Sequence, residues 1–174
     1  MTRVPDVFFH CREIGPFDDY EWVHKSTDYI FGNKRVVVFA LPGAFTPTCS
    51  SFQLPGYEEK YDDFISLGID DIYCLSVNDS FVMNAWFKSQ NIKNVKPLPD
   101  GNGDFTFSMA MSVAKMNLGF GYRSWRYAMV VNDGEIEMMF EEPGKVGNNP
   151  TDPYEMSHPD TVLEYLRTYA RQDA

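Results

Sequence analysis

The chain has 174 residues, about the length of one ordinary domain, and 44% of them are hydrophobic, which is typical of a globular core. Its 25 acidic residues outnumber the 15 basic ones, so the net charge is −10. Because this charge repels phosphate backbones and anionic lipids, neither nucleic acid nor a membrane surface is an expected partner. The first residues lack the pattern of a signal peptide, so we expect a cytoplasmic protein with a single domain over residues 1–174.

Apolar runs and turn residues predict alternating strands and helices, the pattern of an α/β fold. The amino-terminal half is predicted to contain an irregular segment over 5–31 with a hairpin-like turn at 29–31, a buried strand over 35–41, a helix from Thr46 that is interrupted at 54–56 and resumes over 57–67, and a second buried strand over 71–77. The rest is predicted to contain a helix from 78 to 90, a short strand within 92–100, a helix over 105–116, two strands over 125–132 and 135–141, a loop over 143–157 and a final helix from His158. Asp133-Gly134 predicts a tight hairpin between the last two strands. We expect a mixed central sheet flanked by helices.

The three cysteines, Cys11, Cys49 and Cys74, are odd in number and far apart, which does not suit a disulfide framework. Cys74 lies inside an apolar strand and is expected to be an inert core thiol. Cys11 is expected to be a free thiol, with a resolving role as the alternative. Cys49 differs because its neighbours Thr46 and Ser50 are polar, which argues against a purely structural role.

Cys49 is expected at the start of a helix, since Thr46 is a good N-cap residue and Pro47 suits the first helical position. Cys49 then falls at the third position, where unpaired backbone N–H groups and the helix dipole stabilise an anion. This arrangement favours the thiolate, which is the reactive form of cysteine. Two interpretations of Thr46 stay open: a cap alone, or a cap whose hydroxyl also orients a substrate.

Attack of a thiolate on a peroxide bond needs a hydroxyl that orients the peroxide, donors for the departing oxygen, and a ring that keeps water away. Thr46 can supply the hydroxyl and Pro42 the ring, both within the window 42–49 that ends at Cys49. Backbone N–H groups and an arginine can supply the donors. The pattern therefore fits peroxide chemistry.

Residues 42–50, Pro-Gly-Ala-Phe-Thr-Pro-Thr-Cys-Ser, resemble the active-site signature of the peroxiredoxins, specifically the peroxiredoxin 5 subfamily. The resemblance extends over 74–79, 83–86 and 123–131. It implies a thioredoxin-like fold and a thiol-specific peroxidase that reduces hydrogen peroxide and alkyl hydroperoxides. It also implies that no metal, haem or other cofactor takes part.

The resemblance assigns roles to four residues. Cys49 matches the peroxidatic cysteine, which becomes a sulfenic acid in each turnover. Thr46 matches the hydroxyl that contacts thiolate and peroxide, and Pro42 matches the shielding proline. Arg126 matches the arginine that donates to the thiolate and to the leaving oxygen. Arg123 is the competing candidate, and a plain ion-pair role for Arg126 is the alternative.

The carboxyl-terminal part departs from some members of the family. Members that resolve their own sulfenic acid carry a second cysteine near the carboxyl terminus, whereas no cysteine follows Cys74 here. Residues 152–157 instead resemble members that use glutathione, some of which carry a fused glutaredoxin domain. The resemblance thus implies recycling by glutathione, with glutaredoxin acting in trans, and thioredoxin is the less expected donor.

The family also suggests a homodimer. Phe45, Phe81 and Phe120 are large apolar residues near the active-site loops, and we expect them to contribute to a self-complementary patch.

Two other functions compete with the peroxidase. A peroxide sensor would undergo the same oxidation of Cys49 and then pass it to a partner protein by thiol–disulfide exchange. A cysteine hydrolase would need a histidine base near the nucleophile, and the three histidines lie outside recognisable signatures. His10, His24 and His158 also lack metal-ligand spacing, so no metal is expected.

Overall fold

The structure, a computed structural model, describes residues 2–169. Its strands are β1 (Phe8–Ile14), β2 (Tyr20–Ser26), β3 (Arg35–Ala40), β4 (Asp71–Ser76), β5 (Lys96–Pro99), β6 (Ser112–Ala114), β7 (Tyr122–Ser124), β8 (Tyr127–Asn132) and β9 (Glu135–Glu141). Its helices are α1 (Thr27–Phe31), α2 (Leu54–Glu59), α3 (Tyr61–Ser66), α4 (Ser80–Ser89), α5 (Asp104–Ser108) and α6 (Pro159–Thr168), with a π-helical turn at Cys49–Gln53 and a 3₁₀ turn at Met116–Leu118. Among the described residues, no helix is long and apolar enough to cross a membrane.

Five strands form the central sheet in the order β5–β4–β3–β8–β9. Strands β3, β4 and β5 are parallel, while β8 and β9 are antiparallel to their neighbours. Strand β5 lies at one edge and contains Pro97 and Pro99. At the opposite edge, Asp133 and Gly134 connect β8 to β9 with positive φ at both positions, as a tight hairpin turn requires. The predicted mixed sheet with flanking helices is confirmed.

The sheet separates two apolar clusters. One contains buried side chains of α2, α3, α4 and α6, and the other contains buried side chains of β1, α1 and α5. Cys49 and Cys74 belong to the first cluster, and Cys11 belongs to the second. The side chains of Cys49 and Cys74 therefore lie on one face of the sheet, and Cys11 lies on the other.

The buried strands, the helix after residue 78, the closing hairpin and the final helix all occur where the sequence predicts them. The prediction of an irregular segment over 5–31 is wrong, because β1 and β2 form an antiparallel hairpin and α1 follows it. Helix α1 occupies the residues interpreted as a hairpin-like turn, since the Ser26 hydroxyl accepts a hydrogen bond from Tyr29 N and caps the helix. The hairpin gave a weak signal because β2 exposes the aromatic residues Tyr20 and Trp22 instead of burying them.

The predicted helix interruption at 54–56 is also wrong. The chain is helical from Pro47 and passes through the π-helical turn directly into α2. In that turn Leu54 N donates to Cys49 O, one residue further back than in an α-helix. This wider spacing accommodates Pro55, which has no N–H for a regular helical bond. The break comes instead at Lys60, before α3.

The predicted helix over 105–116 is much shorter in the structure. Helix α5 ends at Ser108, and Ala110 has a left-handed backbone with a φ of 58°. The following residues form β6, which pairs with β7. Pairing with the next strand in the chain, β7, has overridden the helix predicted for this methionine-rich stretch.

Candidate active site

Cys49 lies in the first turn of the helix that follows β3. Ser50 N donates to Thr46 O at 2.9 Å, which makes Thr46 the residue that accepts the first helical hydrogen bond, as predicted. The Cys49 side chain is fully buried. Next to it, Trp86 Nε1 of α4 donates to the Ser50 hydroxyl at 2.9 Å and fixes this turn against α4.

The loop before the helix is held by polar contacts. Phe45 has a φ of 64°, a left-handed conformation that folds the loop back sharply before Thr46. Ala44 N donates to Asn78 Oδ1 at 3.0 Å, which ties the loop to the end of β4. The Thr46 hydroxyl donates to the Gly43 carbonyl at 2.7 Å, rather than capping the helix with its own oxygen. A hydroxyl that donates in this way keeps its lone pairs free to accept a hydrogen bond.

Arg126 lies directly before β8 and is almost completely buried, with 1% of its surface exposed. Its Nη1 is 3.4 Å from Cys49 Sγ, and the same nitrogen also donates to Gln53 Oε1. Its Nη2 donates to both carboxylate oxygens of Asp152, at 2.7 and 2.8 Å. Burial opposes the charged form, but Cys49 and Asp152 outweigh it and raise the pKa of Arg126 above its ordinary value. The guanidinium therefore places a positive charge beside the thiol.

Arg123 lies close by but makes different contacts. Its Nη1 donates to the Pro42 carbonyl at 3.0 Å, and its Nε donates to the Phe120 carbonyl at 3.1 Å. A side chain at Gly43 would have to displace this guanidinium, because a Cβ there would lie 2.6 Å from Arg123 Nη1. Arg123 thus supports the buried Pro42 loop, whereas Arg126 is the arginine that contacts the sulfur.

A segment that sequence reasoning assigned to a loop contributes to the site. Glu142, at the end of β9, is buried, and its carboxylate accepts hydrogen bonds from the backbone N–H groups of Glu155, Met156 and Ser157 and from the Ser157 hydroxyl. Four bonds to one carboxylate fix residues 155–157 against the sheet. The same segment carries Asp152, and also Tyr154, whose ring lies 5.7 Å from the Arg126 guanidinium carbon.

Three of these contributors were missed from the sequence. Gln53 follows Cys49 by four residues, and that helical spacing could have identified it as a neighbour. Asp152 lies in the stretch 152–157 that the resemblance covers, but nothing in the sequence pairs it with Arg126, and Glu142 gave no signal because its partners lie beyond the next turn of the chain. Only the folded arrangement brings them to Arg126 and to the segment beside it.

The other two thiols have different surroundings. Cys74 is fully buried in β4, and burial, together with the nearby Cys49, raises its pKa well above the ordinary value. Burial raises the pKa of Cys11 to about 11. All three cysteines are free, and residues 2–169 contain no group of three or more His, Cys, Asp or Glu side chains arranged to hold a metal ion. The site therefore combines a buried thiol, a buried guanidinium and a neighbouring hydroxyl.

Comparison with known proteins agrees with this chemistry. The Redoxin family model matches residues 23–155. A peroxiredoxin of Rhizobium etli is 56% identical over 172 residues, which are 97% of this chain and 96% of that protein. The hybrid peroxiredoxin hyPrx5 of Haemophilus influenzae is 51% identical over 164 residues, which are 94% of this chain and 64% of that protein.

A solved structure is similar over almost the whole length. The Plasmodium falciparum antioxidant protein, a 1-Cys peroxiredoxin, matches with a TM-score of 0.91 and 39% identity, covering 96% of this chain and 98% of its own. The chain therefore belongs to the Redoxin family. Within that family it is a peroxiredoxin, a thiol-dependent peroxidase with a thioredoxin-like fold, as the signature at 42–50 implies.

Proposed function

We propose that Cys49 is the peroxidatic cysteine and that it turns over by a one-cysteine mechanism with glutathione and glutaredoxin as reductants. The observation that carries this proposal is the position of Cys49 Sγ, fully buried at a helix start and 3.4 Å from Arg126 Nη1. The helix start and the guanidinium both stabilise an anion. A thiolate held in this way is the nucleophile that the reaction needs.

The first step oxidises the sulfur. The Cys49 thiolate attacks one oxygen of the peroxide, a new S–O bond forms, and the O–O bond breaks with its electron pair passing to the other oxygen. That oxygen takes a proton and leaves as water or an alcohol, and Cys49 is left as a sulfenic acid. Arg126 donates to the thiolate and to the departing oxygen, where it offsets the developing charge. The Thr46 hydroxyl oxygen accepts a hydrogen bond from the peroxide O–H and orients the O–O bond, and the buried Pro42 ring excludes water.

The second step reduces the sulfenic acid. A glutathione thiolate attacks the Cys49 sulfur, the S–O bond breaks, the departing hydroxide takes a proton and leaves as water, and a mixed disulfide forms. The thiolate of glutaredoxin or of a second glutathione then attacks the glutathione sulfur of that disulfide, which releases the Cys49 thiolate and leaves glutathione in a disulfide with the attacking thiol. Burial supports this one-cysteine route, because Cys74 is held inside β4 and Cys11 lies on the other side of the sheet. The similarity to a 1-Cys peroxiredoxin supports it as well.

The test is a steady-state assay of hydrogen peroxide consumption with three electron donors: glutathione alone, glutathione with glutaredoxin, and thioredoxin. We expect the fastest sustained turnover with glutathione and glutaredoxin. Cys49→Ser should abolish turnover, whereas Cys74→Ser and Cys11→Ser should retain most of it. Equal loss in either control variant would contradict the one-cysteine route. A single burst with every donor would favour a peroxide sensor that passes its oxidation to a partner protein.

We also propose a cytoplasmic homodimer. Three free thiols suit a reducing compartment. Phe45 and Phe81 have 55% and 60% of their surfaces exposed, which supports an apolar contact between copies, whereas Phe120 is partly covered by Arg123. Sedimentation at micromolar concentration should give twice the mass of one chain, and a particle of 20.0 kDa alone would contradict the dimer.

A further inference from the structure

The carboxylate partner of Arg126 lies on the side of its guanidinium away from the thiol, whereas Nη1 donates to Gln53 and lies beside Cys49. Nη2 is 2.7 and 2.8 Å from the two oxygens of Asp152, whereas Nη1 is 3.4 Å from Cys49 Sγ. Contacts near 2.7 Å between a guanidinium and a carboxylate belong to the strong, charge-assisted class. Asp152 therefore competes with the thiolate for the charge of Arg126.

Asp152 is not in the core, because 45% of its side chain is exposed. Solvent at the exposed side of Asp152 screens the ion pair and weakens what it adds to the stability of the fold. Its surroundings are nevertheless fixed, since Glu142 anchors residues 155–157 and the Tyr154 ring packs near the guanidinium. A half-exposed carboxylate that is held in place and bonded to the buried arginine of the site points to a role in the reaction.

We propose that Asp152 is a positioning residue for the peroxidase reaction: it restrains Arg126 so that Nη1 contacts Cys49 only loosely and stays available to the oxygens of the peroxide. The inference rests on the roles proposed above for Cys49 and Arg126. Without the Asp152 carboxylate, the Cys49 thiolate would be the remaining anion beside the buried guanidinium. The guanidinium would then turn towards it. A thiolate that is stabilised more strongly is also a weaker nucleophile.

The test is Asp152→Asn, which removes the charge and keeps the shape of the side chain. We expect two effects in opposite senses. The rate constant for oxidation by hydrogen peroxide should fall about 10-fold. At the same time, the midpoint of thiolate formation should move to lower pH, because the thiolate loses a neighbouring negative charge and gains a tighter contact with Arg126. Loss of order in the segment would instead admit water and separate Arg126 from the sulfur, which would raise the midpoint.

Both quantities can be measured without a reductant. Stopped-flow tryptophan fluorescence gives the rate of one oxidation by hydrogen peroxide, since Trp86 is hydrogen-bonded to Ser50, the residue next to Cys49. Ultraviolet absorbance of the thiolate gives the midpoint. Burial raises the pKa of Cys11 and Cys74, so these two thiols ionise only at higher pH.

The matched control is Glu155→Gln, which removes an equal charge from an exposed side chain three residues further along and should change neither quantity. Asp152→Glu, which keeps the carboxylate, should restore part of the rate. An unchanged rate in Asp152→Asn, or a midpoint that moves to higher pH, would overturn the inference. Arg126→Met identifies which proposal has failed: if that variant is as fast as the parent, the role of Arg126 itself is wrong, whereas a slow Arg126→Met beside a fast Asp152→Asn refutes only the role of Asp152.

Discussion

Two buried arginines lie at opposite ends of the same pair of strands. Arg35 opens β3 and Arg126 directly precedes β8, and the register of these antiparallel neighbours pairs Arg35 with Asn132 and Ala40 with Tyr127. Their exposed fractions are 2% and 1%. Burial alone therefore does not distinguish them, and the difference between the two ends of the sheet lies in their partners.

Arg35 forms a bidentate salt bridge with Glu137. Its Nε and Nη2 donate to the two oxygens of Glu137 at 2.9 and 2.7 Å, and Nη2 also donates to the Tyr169 carbonyl at 2.8 Å. Tyr165 of α6 donates to the same carboxylate at 2.8 Å. This network joins β3, β9 and the end of α6, so its role is structural.

Arg126 divides its donors instead. One nitrogen serves the Asp152 carboxylate, and the other is left to Gln53 and to the sulfur of Cys49. A neutral amide and a thiol hold a guanidinium less tightly than a second carboxylate oxygen does. A buried arginine can therefore donate to a substrate when one of its terminal nitrogens has no carboxylate partner.

The largest expected effect is on the reaction rate at the Arg126 end. Arg126→Met should lower the rate constant for oxidation of Cys49 by hydrogen peroxide about 10²–10³-fold, the usual loss when a donor to a developing anion is removed. Stopped-flow fluorescence would measure it. Arg123→Met, which removes a charge from the neighbouring loop without touching the sulfur, should have a much smaller effect. The reverse order would assign the role to Arg123.

The next effect is on stability at the Arg35 end. Arg35→Met should lower the free energy of unfolding by about 2 kcal/mol, less than the loss for a fully buried pair because Glu137 stays partly exposed. Urea denaturation followed by circular dichroism would measure this change. The rate of peroxide oxidation should stay within about twofold of the parent value, because the hydrogen-bond networks described for Arg35 and Arg126 have no residue in common. A large rate loss in Arg35→Met would show that the two ends are coupled.

The smallest expected effect is the pH dependence of the unfolding free energy that Arg35→Met loses. Burial of Glu137 opposes ionisation, but bonds from Arg35 and Tyr165 outweigh it and lower its pKa from the ordinary 4.5. The unfolded chain therefore binds the proton first, so the stability from this pair is complete above pH 4.5 and is lost as the pH falls below it. The difference in unfolding free energy between the parent and Arg35→Met should shrink over that range. A constant difference down to acid pH would exclude the ion pair as its cause.

The sequence predicts the parts of this protein whose signals are local. Strand β3 is a continuous apolar run, Asp133-Gly134 specifies its turn by itself, and the helix start at Thr46 and Pro47 depends on neighbours in the chain. The placement of Cys49 follows from the same local rules. The signals for these features come from neighbouring residues and do not depend on contacts with the rest of the fold.

The parts that escaped prediction depend on contacts beyond the neighbouring residues. The methionine-rich stretch after Ser108 is predicted to be helical, yet residues 112–114 form strand β6 by pairing with β7. Pro55 looked like a helix breaker because nothing in the sequence indicates the π-helical turn before it. Asp152 contacts Arg126, which is 26 residues away in the chain, and Glu142 contacts residues up to 15 away. Only the folded loop shows which groups they meet. The choice between Arg123 and Arg126 likewise needed the atomic contacts.

The two prolines of the edge strand β5 have a consequence for self-association. Along a strand, successive N–H groups point to alternate sides, and the bonds to β4 must come from the positions that are not proline. Pro97 and Pro99 therefore occupy the outward-facing positions, and this rim of the sheet offers no amide donor along its four residues. A strand from another molecule cannot pair with this edge by accepting hydrogen bonds from it. Fibril growth by strand addition at β5 is therefore opposed in an enzyme that works under oxidative stress.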